Sequence, residues 1–229
     1  MPAYLQQTIV NLVTVKDAST TQQALQNMHS GVGLCKQDCI EVLETYLAEQ
    51  VENKTVDIDA NLALLKLYQM YPSVASAKNV ALVLIKGIMA LPSTFFTGAS
   101  TMVPENIRED ANVSAALRAG FMLQSCLFEE FWKERGTLAD EVPDFLESVR
   151  AYILTAVSHS HSVISTQVMK AKLSVPDKEV ADIVAAMQWT AVDDLITIDS
   201  NENNQMQAKK VQEKIDFEDV LKVIRVLSR

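Results

Sequence analysis

A chain of 229 residues with only six glycines and six prolines has few places to turn. Ordinary usage of the two residues is about 12% together, and this chain carries less than half of that. Antiparallel β folds use glycine and proline at most turns, and nucleotide-binding α/β enzymes use glycine where backbone must approach a phosphate. Too few residues remain for either job, so the expected fold is mostly α. With 48% apolar and 21% charged residues, the chain has the composition of a globular protein. Its length suits one large domain or two small ones, and a compact chain of this size needs no disulfide or metal staple.

Charge narrows the partners. The chain carries 20 basic and 29 acidic residues, a net charge of −9, which argues against nucleic acid or an anionic membrane as default partner. Residues 1–144 hold most of the excess, 10 basic against 17 acidic, while residues 145–229 hold 10 against 12. No Lys or Arg precedes Lys16 and no sustained apolar core follows, so no secretory signal is expected. The longest apolar run, Val80 to Leu91, is interrupted by Lys86 and falls far short of the roughly 20 residues that span a bilayer. Cys35, Cys39 and Cys126 are an odd number, expected as reduced thiols, and the expected location is cytoplasmic.

Periodicity places the helices. Residues 1–35 form an N-terminal extension with a short helix expected over Leu5 to Val15, then a linker. From Asp38, paired with Glu41 as a capping box, Cys39, Ile40, Leu43, Leu47 and Val51 recur at helical spacing. Ile58 to Tyr71 predicts a second helix, stopped by Pro72, and Ala77 to Ala90 a third, ended by Pro92. That third helix is apolar nearly all round, as in a stack of helical hairpins where neighbours cover every side. Two more helices are expected over Asn112 to Leu123 and Cys126 to Lys133.

After Gly136 the pattern changes. Asp144 and Glu147 form a second capping pair before the apolar face of Phe145, Leu146, Val149, Tyr152, Ile153, Ala156 and Val157. His159 to Ser165 is a connector, and Thr166 to Leu173 a two-turn helix capped by Ser165 or Thr166. Ser174, three residues before Asp177, and Pro176 open the next helix. Trp189 to Val192 and Leu195 to Asp199 make two strands around an Asp193-Asp194 turn. Helix, short strand, helix, helix, hairpin is the order of a winged helix. A last helix begins at Asp216 and is expected to bury Phe217, Val220, Leu221 and Ile224. The organisation is therefore residues 1–35 as extension, 36–142 as a helical-repeat-like domain, 143–200 as a winged helix, and 201–229 as linker and C-terminal helix.

Chemistry-bearing patterns are scarce. Cys35, Cys39 and His29 fall short of the four ligands of a zinc site. His159 and His161 have no carboxylate-rich companion, and no nucleophile-elbow, Walker, HExxH or dinucleotide motif occurs. The expectation is a non-enzyme without cofactor or metal. The helix that a DNA-binding winged helix would place in the major groove carries Asp177, Glu179 and Asp182 against Lys178, so phosphate would repel it. Nucleic-acid binding through Lys170, Lys172, Lys209 and Lys210 is the alternative reading. The expected partner surface lies along the hairpin and the last helix, at Trp189, Leu195, Ile198, Lys222 and Arg225.

Three stretches carry a resemblance. Asp59-Ala-Asn-Leu-Ala-Leu-Leu-Lys-Leu-Tyr-Gln69, Phe145-Leu-Glu-Ser-Val-Arg150 leading to His161, and Glu213-Lys-Ile-Asp-Phe217 resemble, in that order, the K-subunit family of eukaryotic translation initiation factor 3. The alignable part covers about residues 34–220. Ser162 to Ile198 also looks like the winged-helix half of the wider PCI family of the proteasome lid, signalosome and initiation factor 3. The resemblance implies a HEAT-like helical domain packed on a winged helix, in a non-catalytic scaffold subunit. It implies as partners the other subunits of that factor, subunit L as direct neighbour, and the small ribosomal subunit through the assembly.

Overall fold

The first described backbone is extended, not helical. In the computed structural model, which describes residues 8–11, 19–29, 36–136, 142–205 and 217–227, β1 (Thr8–Ile9) pairs in parallel with β2 (Thr55–Val56). The Val10 amide extends the ladder to the Val56 carbonyl at 2.9 Å. This corrects the helix expected over Leu5 to Val15 at its described residues: β-branched Thr8, Ile9 and Val10 suit a strand once β2 offers an edge.

Residues expected as linker form α1 (Thr20–His29). A capping box opens it: Ser19 Oγ accepts from the Gln22 amide at 3.2 Å, and Gln22 Oε1 from the Ser19 amide at 2.9 Å. Buried Leu25 anchors the helix, and Gln22 Nε2 donates to the Tyr46 hydroxyl at 3.2 Å.

The stack then runs α2 (Cys39–Glu52), α3 (Ile58–Met70), α4 (Ala77–Met89), α5 (Phe95–Thr101), α6 (Ala111–Gln124) and α7 (Phe128–Glu134). Pro72 and Pro92 lie just past α3 and α4, because each removes an amide and clashes with the preceding turn. True side-chain caps open three of these helices. Asp57 Oδ1 accepts from the Ala60 amide at 3.0 Å, Ser76 Oγ from Asn79 at 3.4 Å, and Asp110 Oδ1 from Asn112 at 2.9 Å. The capping box expected at Asp38 does not form, since Asp38 is itself in helical conformation and its carboxylate caps nothing.

α4 is covered on nearly every side, with Val80, Ala81, Val83, Leu84, Ile85, Ile88 and Met89 buried among α2, α5 and α6. α5 was not expected. Thr, Gly and Ser make Phe95–Thr101 a weak helix former, and it holds because Phe95, Phe96 and Ala99 are buried against α3 and α4.

The remaining elements are α8 (Phe145–Ser160), β3 (Val163–Ser165), α9 (Thr166–Leu173), α10 (Asp177–Ala186), β4 (Thr190–Val192), β5 (Leu195–Thr197) and α11 (Phe217–Leu227). The strands form an antiparallel sheet in the order β3-β5-β4. His159 and Ser160 complete α8 rather than starting a connector. Asp144 is left-handed, makes no cap bond and pairs with Lys54, which corrects the second capping box. Ser165 caps α9 through the Val168 amide at 3.3 Å. Ser174, at φ 52°, ends α9 instead of opening α10, which starts after Pro176.

Buried residues from Leu25 to Ile198 form one continuous hydrophobic core. The two halves share it where α8 lies against α4 and α9 against α7. The mostly helical fold expected from glycine and proline scarcity is observed. No described helix is long and apolar enough to cross a membrane.

Candidate functional site

The sheet sorts the hairpin residues into two roles. Side chains alternate along a strand and partners in register share a face. In the row Ile164, Ile196 and Ala191, Ile164 and Ile196 face inward and are buried, while Ala191 on the edge strand is exposed. The outer rows are Val163, Thr197 and Thr190, then Ser165, Leu195 and Val192. On that outer face Leu195 is 53% and Val192 61% exposed. Of the three hairpin residues expected to meet a partner, only Leu195 reaches the surface. Trp189 and Ile198 are 8% and 4% exposed. They brace the hairpin from beneath: the Trp189 amide donates to the Val184 carbonyl at 3.0 Å and the Ile198 amide to the Ser162 carbonyl at 2.9 Å.

α11 departs most from expectation. Phe217, Val220, Leu221, Ile224 and Leu227 recur at helical spacing and make one apolar stripe. Phe217, Val220, Leu221 and Ile224 were expected to be buried, yet Phe217 is 75% and Ile224 53% exposed, Val220 is exposed as well, and Leu221 is half-buried; Leu227 is also exposed. Amphipathic spacing specifies that a face seeks cover and does not specify which surface supplies it. Glu218 and Asp219 at its start and Arg225 in its last turn suit the helix dipole. Arg225 is exposed, and Lys222 lies on the same helix.

The basic residues of the nucleic-acid reading are not brought into a track. Lys170 Nζ donates to Asp177 Oδ1 at 2.7 Å, so a neighbouring carboxylate matches its charge. The Lys172 ammonium lies 5.4 Å from the Phe128 ring centroid, on the α7 side. Lys209 and Lys210 lie outside the described residues, as does Cys35. Cys39 is buried at the start of α2.

A buried polar network went unread in the sequence. Gln50 Oε1 accepts from the Asp57 amide at 2.8 Å and from Asn61 Nδ2 at 3.0 Å, and Gln50 Nε2 donates to Asn61 Oδ1 at 3.1 Å. Lys86 of α4, fully buried, donates from Nζ to the Gln50 carbonyl at 2.9 Å and the Thr55 carbonyl at 3.1 Å. Burial pushes its ammonium down to about 8. Burial also raises the Tyr46 phenol to about 12, where its hydroxyl meets Asp57 Oδ2 at 3.3 Å. The network ties the end of α2, β2 and the start of α3 to α4. Its sequence signal was Lys86, the one charge in an otherwise apolar run.

Two comparisons bear on this arrangement. The model of the CSN8/PSMD8/EIF3K family matches residues 75–212, which include α8, the three-stranded sheet and both helices between its strands. The chain is similar over most of its length to proteins named eukaryotic translation initiation factor 3 subunit K. That of Nematostella vectensis is 27% identical over 211 residues, 90% of this chain and 98% of the relative. That of Danio rerio is 29% identical over 214 residues, with the same coverage, and that of Xenopus laevis 29% over 194 residues, 83% of this chain and 89% of the relative.

Proposed function

The chain belongs to the CSN8/PSMD8/EIF3K family, and from that premise we propose that it is a non-catalytic scaffold subunit of eukaryotic translation initiation factor 3, acting in translation initiation in the cytoplasm. Relatives named as subunit K that match nine-tenths of the chain support the placement. The structural observation that carries the scaffold role is apolar surface left exposed among the described residues: the α11 stripe and the outer sheet face at Val192 and Leu195. Contiguous exposed apolar surface marks interaction sites.

In this reading residues 36–142 are a HEAT-like helical domain and residues 143–200 a winged helix, flanked by the extension 1–35 and the linker and C-terminal helix 201–229. The order β3, α9, α10, β4, β5 and the antiparallel β3-β5-β4 sheet support the winged helix. The acidic exposed residues of α10, Glu179 and Asp182, favour protein over DNA as its partner. The partners are the other subunits of the factor, with subunit L as direct neighbour and the small ribosomal subunit reached through the assembly. Leu195, Lys222 and Arg225 belong to the contact surface, and Trp189 and Ile198 shape it from beneath.

Affinity purification of the tagged full chain from a eukaryotic lysate, read by mass spectrometry, should recover the other subunits of initiation factor 3. Recovery of none would overturn the assignment. Val192→Asp with Leu195→Asp, and separately Lys222→Glu with Arg225→Glu, should weaken that recovery while leaving the thermal melt unchanged. Undiminished recovery with both pairs would remove this surface from the reading.

A further inference from the structure

Residues far apart in sequence converge where α6, α7, α8 and α9 meet, and Trp132 of α7 is the hub. The Arg135 and Arg150 guanidinium carbons lie 5.9 and 5.7 Å from its ring centroid, within reach of cation–π attraction. Trp132 Nε1 donates to the Lys172 carbonyl at 2.7 Å, which pins the end of α9 to α7. One turn earlier on α7, the Phe128 ring carries the Lys172 ammonium at 5.4 Å. Arg118 of α6 shares a small cleft with Arg135.

Among the described residues none of these cations has an ion-pair partner. The ion pairs among the described residues are Lys54 with Asp144 and Lys170 with Asp177, and none of the four takes part in either. Arg150 Nε is buried and has no hydrogen-bond acceptor. Glu134 lines the Arg118 cleft, and Glu179 and Asp182 line a groove beside Arg150, but none comes within ion-pair distance. A buried donor left unmade is costly, and the planar guanidinium fork matches a carboxylate in two parallel bonds.

We propose that this junction docks a carboxylate-rich segment of a partner protein, with Arg135, Arg150 and Lys172 as its anchors around Trp132. Three cations, one just past the end of α7 and one each on α8 and α9, suit a short acidic stretch, which can present one carboxylate to each. RNA fits less well. The Trp132 ring that would stack a base is already engaged by two guanidiniums. The site uses none of the residues assigned above to the sheet face or α11, so it stands or falls independently of that assignment.

The probe is a short fluorescein-labelled oligoglutamate, titrated with the full chain at about 50 mM salt and followed by fluorescence polarisation. Saturable binding is expected, and Arg135→Glu with Lys172→Glu should weaken it at least about ten-fold. Lys66→Glu, an exposed charge on α3, should leave it unchanged. If the charge-reversed pair melts early, Arg135→Gln with Lys172→Gln takes its place, with weakening again expected. The proposal is overturned by absent binding, or by binding that a folded variant leaves intact. It is also overturned if an oligouridylate of equal length binds more tightly than the peptide and loses that binding in the same variants, because the site then takes phosphate.

Discussion

The Phe96 ring occupies the space that a side chain on Gly120 would need. A Cβ built on Gly120 would stand 2.0 Å from Phe96 Cζ, and one on Gly87 would stand 3.1 Å from Phe96 Cα. Two glycines on adjacent helices thus let α5 seat a fully buried phenyl ring between α4 and α6. In α6 alanine would ordinarily be the better helix former by about 1 kcal/mol. The overlap with a packed ring outweighs that gain. Gly120→Ala should destabilise the protein by about 1–3 kcal/mol net in a urea titration, and Phe96→Leu added to it should restore part of the loss. A neutral Gly120→Ala would mean that α5 swings away freely.

Lys86 makes stability depend on alkaline pH. Its ammonium is held at about 8 in the folded chain, against about 10.4 unfolded. Between those values the unfolded chain binds more protons, so the free energy of unfolding rises with pH. From pH 8 to pH 10 the stability of the wild type relative to Lys86→Met should grow by on the order of 2 kcal/mol. Tyr46, held at about 12, has the opposite sign: above pH 10 the unfolded phenol ionises first and stability falls. Denaturation at both pH values for both proteins checks this, and a constant difference would contradict it.

The Ser19–Gln22 box holds the start of α1 with two reciprocal bonds. Ser19→Ala should cost about 1 kcal/mol. Hydrogen exchange should show the loss chiefly as faster exchange of the first amides of α1, with the helices around Leu84 unaffected.

Trp189 and Leu195 should part company. Trp189→Ala empties a buried site and should cost about 3–5 kcal/mol. Leu195→Ala, on the exposed sheet face, should stay within about 1 kcal/mol. Thermal melts of the two variants decide this, and similar losses would mean that Leu195 is covered after all.

Helix starts and stops were largely legible because they depend on neighbours along the chain. Pro72 and Pro92 stand where α3 and α4 end, and the hairpin turns at Asp193, whose φ of 52° an aspartate tolerates. Ser165 caps α9 as its position suggested. Local rules misled where a second element intervened: Asp144 faces Lys54 instead of its own helix, and Thr8–Ile9 pair with β2. The hairpin forms where the strand pattern placed it, but the pleat puts Trp189 and Ile198 inside.

The sequence by itself determined that the chain is helical, where most helices begin and end, and that its net charge is acidic. Those properties are sums over residues or depend on spacing of a few positions, so no long-range contact is needed to read them. Only the tertiary structure decided which faces are covered. It buried Lys86 against the end of α2, gathered Arg135, Arg150 and Lys172 around Trp132, and left the α11 stripe open. Burial and ion pairing are relations between distant segments, and a periodic pattern states only that a face wants a partner, not whether the same chain provides one.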